Sequence, residues 1–213
     1  MKSTIHEHQK NNFKIVSKTF KTIGFIFLLV ITISSCSTPP IPTPTPSGCV
    51  TTGTDFQQLY SAVTALPGHS NVVTYDSEVH SYTFHLFATK TVCSIGYQSQ
   101  PAIAATPYVI EIYDNTTSTL VYTGSHVFSS AATSYVTISS VTLVAGDSYT
   151  IKRIQTNWGT NIGNTIGRLV RNNTGNVAFP QVYGNMKITG SSFYQNAGTQ
   201  TNWAIPFIDI VFQ

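Results

Sequence analysis

The sequence predicts an all-β protein, an antiparallel β-sandwich preceded by one short helix. Charged residues make up only 9% of the chain, whereas residues that favour strands and turns, such as Thr, Val, Ile, Tyr, Ser and Asn, are abundant. Beyond residue 80 the apolar residues recur with a period of two, and turn-forming pairs separate the alternating runs. Short strands with such punctuation, without repeating helices, are typical of a sandwich.

Residues 1–35 have the pattern of a secretory signal peptide. Five lysines precede or flank a nearly uninterrupted apolar run from Thr22 to Ile33. Because this run is shorter than the roughly 20 residues of a membrane-spanning helix, it is typical of a signal-peptide core. The tetrapeptide Ile33-Ser-Ser-Cys36 resembles the lipobox of bacterial lipoproteins. This resemblance implies lipidation of Cys36, which would anchor the chain in a lipid bilayer.

Residues 36–48 form the predicted tether. Five prolines lie among small polar residues, and such segments favour extended polyproline II, which gives a reach of roughly 35–40 Å. A merely disordered tail would serve the same purpose. Ser37 is not the aspartate associated with inner-membrane retention in some bacteria, so the resemblance favours the outer membrane, with the protein facing either the periplasm or the exterior.

The positive charge of the chain belongs to the leader. The whole sequence has 11 basic and 8 acidic residues, but five Lys and Glu7 lie in residues 1–35. The remainder keeps six basic and seven acidic residues, a net charge of −1 with His neutral. No cluster of Lys and Arg is left, so we expect no nucleic-acid partner.

Cys49 and Cys93 are the two cysteines that lipidation would leave. Disulfides persist after secretion, so a Cys49–Cys93 bridge is expected. Two free buried thiols are the alternative. A zinc site is less favoured because the sequence has no Cys-x-x-Cys or His pair to complete it.

Residues 49–213 are long enough for one well-buried domain. A helix is predicted near its start, because Phe56, Leu59, Tyr60, Val63 and Leu66 fall on one face. Thr54 with Gln57 matches a capping box, and Pro67-Gly68 ends the pattern. Strands are then predicted over 82–87, 108–113, 120–128, 135–143, 149–154, 186–194 and 204–212, with a shorter one over 165–170. The last strand is expected inside the sheet.

Four stretches carry a further resemblance: Tyr82-Thr-Phe84, Cys93 to Tyr97, Ile110 to Tyr113, and Leu143 to Ile151 with its Ala-Gly-x-x-Tyr turn. They span about 70 residues, and their spacing is similar to that of jelly-roll modules of uncharacterised function in bacterial surface proteins. The resemblance implies a jelly-roll-like sandwich and suggests carbohydrate binding, although a fold does not determine function by itself.

Catalytic and metal chemistry find little support in the sequence. His80 and His85 should point to opposite faces of their strand. Asp76, Glu78 and His80 would share a face, but a solvated strand edge explains them equally well. We expect Glu111 and Asp209 to join structural ion pairs or hydrogen bonds with Lys152, Arg153 or Arg168, rather than to form a catalytic pair. No catalytic residue, metal or cofactor is therefore predicted.

A binding site is predicted from the chain's two tryptophans. The tetrapeptide Gln-Thr-Asn-Trp occurs at 155–158 and again at 200–203, in amide-rich surroundings. Aromatic rings stack on sugar faces, and amides donate to and accept from hydroxyls. The predicted ligand residues are Trp158, Asn157, Asn161, Trp203 and Asn202. The alternative is that Asn supplies turn conformations and the indoles cap the core.

The leading hypothesis is a membrane-anchored lipoprotein that presents a non-catalytic binding or adhesion sandwich, with a glycan or a cell-surface protein as partner. The alternative is a structural or accessory subunit of an outer-membrane assembly, docking through an exposed sheet edge. An exposed tryptophan in a concave site would favour the first hypothesis, and a flat apolar patch would favour the second.

Overall fold

The computed structural model describes residues 48–74, 77–160, 167–195 and 198–213. The predicted signal peptide, Cys36 and the tether therefore lie outside the described residues, apart from Gly48. The described residues belong to one compact unit. No helix among them is long and apolar enough to cross a membrane.

The helix α1 spans Asp55–Thr64 and buries the predicted face through Phe56, Leu59, Tyr60 and Val63. Thr54 is its N-cap, and its hydroxyl accepts a hydrogen bond from the Gln57 amide. The capping box is thus half formed, because the Gln57 side chain accepts from the Gly53 amide, one residue before the cap. Leu66 lies beyond the end of α1 and is 41% exposed, so its assignment to the buried face was wrong.

The described residues form thirteen strands, and all of their pairings are antiparallel. Their bounds are β1 His69–Thr74, β2 Val79–Leu86, β3 Lys90–Tyr97, β4 Tyr108–Asp114, β5 Thr119–His126, β6 Ser134–Leu143, β7 Ser148–Gln155, β8 Gly167–Asn172, β9 Gln181–Tyr183, β10 Met186–Gln195, β11 Gly198–Thr201, β12 Ala204–Pro206 and β13 Asp209–Phe212. The predicted all-β antiparallel sandwich with one short helix is confirmed.

Three sheets build the sandwich. The largest has the order β11-β10-β2-β7-β4-β5, with β9 also paired to β10. The two smaller sheets have the orders β1-β8-β12 and β13-β3-β6. One apolar cluster joins α1 to all three sheets, for example through Phe56, Ile95 of β3, Ile151 of β7 and Val170 of β8. The core therefore lies between the large sheet and the two smaller ones, with α1 packed at its side.

The C-terminal segment differs from the single strand predicted over 204–212. It divides at Pro206, which has no N–H to continue a ladder. The Phe207 amide donates to the Arg168 carbonyl, and the Ile208 amide donates back to the Pro206 carbonyl. Consequently β12 pairs with β8, and β13 pairs with β3 in another sheet. β13 is buried, but it is the terminal strand of its sheet and not an interior one.

Cys49 and Cys93 form the predicted disulfide, with Cα atoms 5.9 Å apart. The bond ties the segment before α1 to β3 in the sandwich. Residues 50–54, between the disulfide and the helix, are thereby held at both ends.

Candidate functional site

The first predicted binding segment follows β7. Trp158 begins a short 3-10 turn, Trp158–Thr160, and its side chain is only 7% exposed. The carbonyl of Asn157 accepts hydrogen bonds from the amide and the hydroxyl of Thr160. Asn161 lies outside the described residues. Trp158 is thus packed, as in the alternative that its indole caps the core, and a ligand role for Trp158 and Asn157 stays a prediction.

The second predicted segment connects β11 to β12. Trp203 is half-buried and packs edge-on against Phe193, with ring centroids 5.6 Å apart. The Arg171 guanidinium lies 6.0 Å from its ring centroid. The Asn202 side-chain oxygen accepts from the Ser191 amide at 3.2 Å. Asn202 therefore supports the local backbone, and a ligand role for Asn202 and Trp203 stays a prediction.

The repeated tetrapeptide has a backbone explanation. Asn157 and Asn202 both have positive φ, at 58° and 59°, and each lies at the end of a strand just before a tryptophan. Asn is among the few non-glycine residues that adopt the left-handed region readily. Both asparagines thus supply a left-handed turn conformation, which was the alternative to a ligand role.

A concave site with a polar lining lies elsewhere, beside α1. We call this cavity of about 500 Å³ the α1 pocket. It is lined by residues of five segments: the stretch before α1, α1 itself, the turn before β6 with the start of β6, β8 through Arg168, and the link between β12 and β13 through Phe207. The polar lining residues are Thr51, Thr52, Gln57, Ser61, Thr133 and Arg168, and the aromatic ones are Tyr60, Tyr135 and Phe207.

A buried carboxylate holds the wall of the pocket. Asp209, fully buried at the start of β13, accepts hydrogen bonds from the Thr54 hydroxyl at 2.7 Å and the Tyr135 hydroxyl at 2.8 Å. Gln57 Nε2 also donates to it at 2.7 Å. Burial raises the pKa of Asp209, and these hydrogen bonds together with the charge of Arg168 oppose the rise. As predicted, Asp209 is a member of a structural hydrogen-bond network.

The same network fixes the segment between the disulfide and α1. Gln57 Nε2 contacts the Thr51 carbonyl at 2.8 Å, so one side chain links Thr51, the helix and Asp209. Cys49 is bonded to β3 just before this segment. Since the segment is held by the disulfide, the N-cap and Gln57, this side of the pocket is preorganised.

Arg168 supplies the charge of the pocket. Its guanidinium lies 4.0 Å from the ring centroid of Phe207, a close cation–π contact. Burial raises the pKa of the Tyr60 hydroxyl, and the neighbouring Arg168 opposes this rise by its charge and by hydrogen bonding. The Tyr60 hydroxyl donates to the Asn71 side-chain oxygen at 2.8 Å. Arg168 thus contacts two aromatic residues of the lining, whose rings also pack against each other.

Two shielded polar atoms of the lining have no hydrogen-bond partner among the described residues. They are the Thr133 hydroxyl oxygen and Arg168 Nε. A buried polar group without a partner costs about 1–3 kcal/mol. A ligand with hydroxyl or carboxylate oxygens could satisfy such groups, which makes this pocket the best candidate for a binding site.

Other chemistry is not assembled in the described part of the chain. No group of three metal-ligating side chains occurs there. His80 is buried and His85 is not, in agreement with their predicted opposite faces. Glu111 forms the expected ion pair with Lys152, at 3.7 Å. Asp114 accepts from the amides of Thr116 and Thr117 in its turn.

Comparison with known proteins adds no relative. No family model matches the chain, and neither a curated protein nor a solved structure matches it. The site must therefore be interpreted from its own chemistry.

The sequence indicates Gln57 as a capping residue and Arg168 as a structural partner, but it does not reveal the pocket. Arg168 and Phe207 are 39 positions apart, and Gln57 and Tyr135 are 78 apart. No local pattern connects them. The one available signal was the scarcity of arginine in a chain with only 9% charged residues, which makes each arginine a candidate for a specific role.

Proposed function

We propose that this protein is a lipid-anchored bacterial lipoprotein that presents a non-catalytic binding sandwich, and that the α1 pocket binds a carbohydrate. The observation that carries the binding proposal is the pocket itself. Aromatic residues, hydroxyls and a guanidinium converge there, and two of the polar atoms lack partners within the described residues. Its volume is in the usual range for small-molecule sites.

Carbohydrates fit this combination of groups. A sugar ring has an apolar face that packs on aromatic side chains and hydroxyls that need both donors and acceptors. Thr133 and Ser61 offer hydroxyls, and Tyr60 and Phe207 offer apolar surface. The preorganised wall reduces the ordering cost of binding.

An oligosaccharide fits better than a single sugar. A second hollow of about 300 Å³ shares Tyr60, Ser61 and Arg168 with the α1 pocket and continues to Asn71. The shared residues thus lie between two adjoining depressions. A chain of sugars crossing them could contact both.

The envelope location is supported by the signal-peptide pattern and by the resemblance of residues 33–36 to a lipobox. Growing the producing bacterium with an alkyne-bearing fatty acid tests it. We expect label on the wild-type chain and none on Cys36→Ser. An unlabelled wild-type protein that retains residues 1–35 would contradict the anchor.

A glycan array with the full-length protein tests the pocket. We expect binding that Thr133→Val weakens at least fivefold, since the variant keeps the side-chain shape and removes the unpartnered hydroxyl. Thr199→Val, an exposed change in β11, is the matched control and should have no effect. Trp203→Ala tests the site predicted from the sequence. If Trp203→Ala abolishes binding while Thr133→Val leaves it intact, the ligand binds elsewhere.

The second candidate function is an accessory subunit that docks through a sheet edge. It is favoured by β5, a terminal strand of the large sheet with exposed or half-buried residues, including Leu120 at 49% exposure. Such an edge can accept another strand. Crosslinking from a photoreactive residue at position 120 in cells should then capture one defined envelope protein, whereas a glycan binder gives no such product.

A further inference from the structure

The α1 pocket has a marked charge asymmetry. Arg168 is the one charged residue among the side chains that line it in the described part of the chain. The described residues contain two salt bridges, Lys90–Asp55 and Lys152–Glu111, and neither involves Arg168. The nearby Asp209 is already occupied by three hydrogen-bond donors. Among the described residues, the guanidinium therefore has no carboxylate within ion-pair distance.

The surroundings of Arg168 restrict its orientation. The guanidinium lies over the Phe207 ring at 4.0 Å. Stacking covers a face of the guanidinium and leaves its N–H groups, which lie in its plane, to find acceptors at the edge. Its Nε is shielded from solvent and has no acceptor among the described residues. A cation in this setting is preorganised for an oxygen ligand, and the Thr133 hydroxyl is another donor in the same cavity.

We propose that the ligand of the α1 pocket carries a carboxylate, and that Arg168 binds this carboxylate. The inference rests on the proposed carbohydrate function and narrows it to acidic saccharides, those built from uronic or sialic acids. The planar fork of an arginine matches the two oxygens of a carboxylate, and charge-assisted bonds of this kind are about twice as strong as neutral ones. A single arginine balances one negative charge, which suits a carboxylate better than a doubly charged phosphate.

Matched pairs of probes isolate the carboxylate. Trigalacturonate and sialyllactose are each compared with their methyl esters by titration calorimetry on the full-length protein in mild detergent. Esterification removes the charge and keeps the sugar. We expect at least one acid to bind tenfold or more tightly than its ester.

Three variants assign the effect to Arg168. Arg168→Gln should remove the preference for the acid over the ester, and Arg168→Lys should retain only part of it because lysine lacks the planar fork. Lys187→Gln removes the same charge outside the pocket and should keep the full preference. Thermal unfolding checks that each variant is folded, and Arg168→Lys keeps the test informative if Arg168→Gln is not.

Each alternative result is decisive. Equal binding of acid and ester overturns the carboxylate assignment, while the carbohydrate function stands if Thr133→Val weakens both. A tenfold preference that survives in folded Arg168→Gln also overturns it. If none of the four calorimetry probes binds at millimolar concentration and the glycan array shows no binding either, both proposals are rejected.

Discussion

Removing the Cys49–Cys93 disulfide should destabilise the sandwich and loosen one wall of the α1 pocket. The bond closes a loop with a sequence separation of 44 residues. Without it, the segment at Thr51 and Thr52 would be attached to the sandwich mainly by Gln57 and the helix N-cap. The perturbation is the Cys49→Ala/Cys93→Ala double variant, alongside chemical reduction of the wild type.

The expected magnitude follows from chain entropy. For a loop of this length the cross-link reduces the entropy of the unfolded chain by an amount equivalent to about 4 kcal/mol at 25 °C. Cys93 is 5% exposed, so its replacement by Ala also removes a small amount of packing. Reduction of the wild type removes no side-chain atoms, so its effect is the cleaner measure of how far loop closure restricts the unfolded chain.

Urea unfolding followed by tryptophan fluorescence measures the effect. We expect the free energy of unfolding to fall by about 4 kcal/mol. The dependence of this free energy on urea should steepen, because an unfolded chain without the cross-link exposes more surface. A loss below about 1 kcal/mol with an unchanged urea dependence would refute the argument, since the bond would then not constrain the unfolded chain.

Three further predictions concern the network around Asp209. Thr54→Ala removes the N-cap and one donor to Asp209, and it should lower the free energy of unfolding by about 1–2 kcal/mol in urea titrations, whereas Thr52→Ala should be nearly neutral. Gly96→Ala would place a Cβ against the Tyr135 ring, closer than real Cβ contacts, so the ring would have to shift; we expect the free energy of unfolding to fall by about 1–3 kcal/mol and ligand binding to weaken, and unchanged binding would contradict the placement of Tyr135. Because the pKa of Asp209 is raised in the folded state, the folded protein takes up its proton before the unfolded chain does. As the pH falls from 7 towards 4, wild type should therefore gain stability relative to Asp209→Asn. If the difference between their free energies of unfolding stays constant over this pH range, the pKa of Asp209 is not raised.

The fold was largely readable from local patterns. Period-two alternation located strands of the large sheet such as β2, because each buries one side against a common core, whereas β4 was predicted as an interior strand from a run that is apolar apart from Glu111. Thr54 and the Pro67-Gly68 pair similarly marked the limits of α1. Four strands, β1, β3, β9 and β11, were not predicted as strands. β1, β9 and β11 are short and show no clear alternation, whereas in β3 Cys93, Ile95 and Tyr97 do alternate with Ser94 and Gly96, so that signal was present in the sequence.

The candidate site could not be predicted in the same way. Its residues come from segments far apart in the sequence, and the choice between Arg168 and the other arginines depends on what each one meets. Arg153 lies buried between Tyr97 and Tyr108, whereas Arg168 lines a cavity. Likewise the two tryptophans looked equivalent in sequence, but packing buried Trp158 and left Trp203 half-exposed.

The amino-acid sequence was enough to predict the capped helix, most of the strands and a cysteine pair able to form a bridge, while the extracytoplasmic location inferred from residues 1–36 stays a prediction. These follow from interactions among neighbours within a few positions. The division of the C-terminal segment between two sheets at Pro206 is visible only in the folded protein. The same holds for the proximity of Asp209, Arg168 and Thr133 beside α1. Such contacts form only when distant segments pack together, so the local sequence of a single segment does not reveal them.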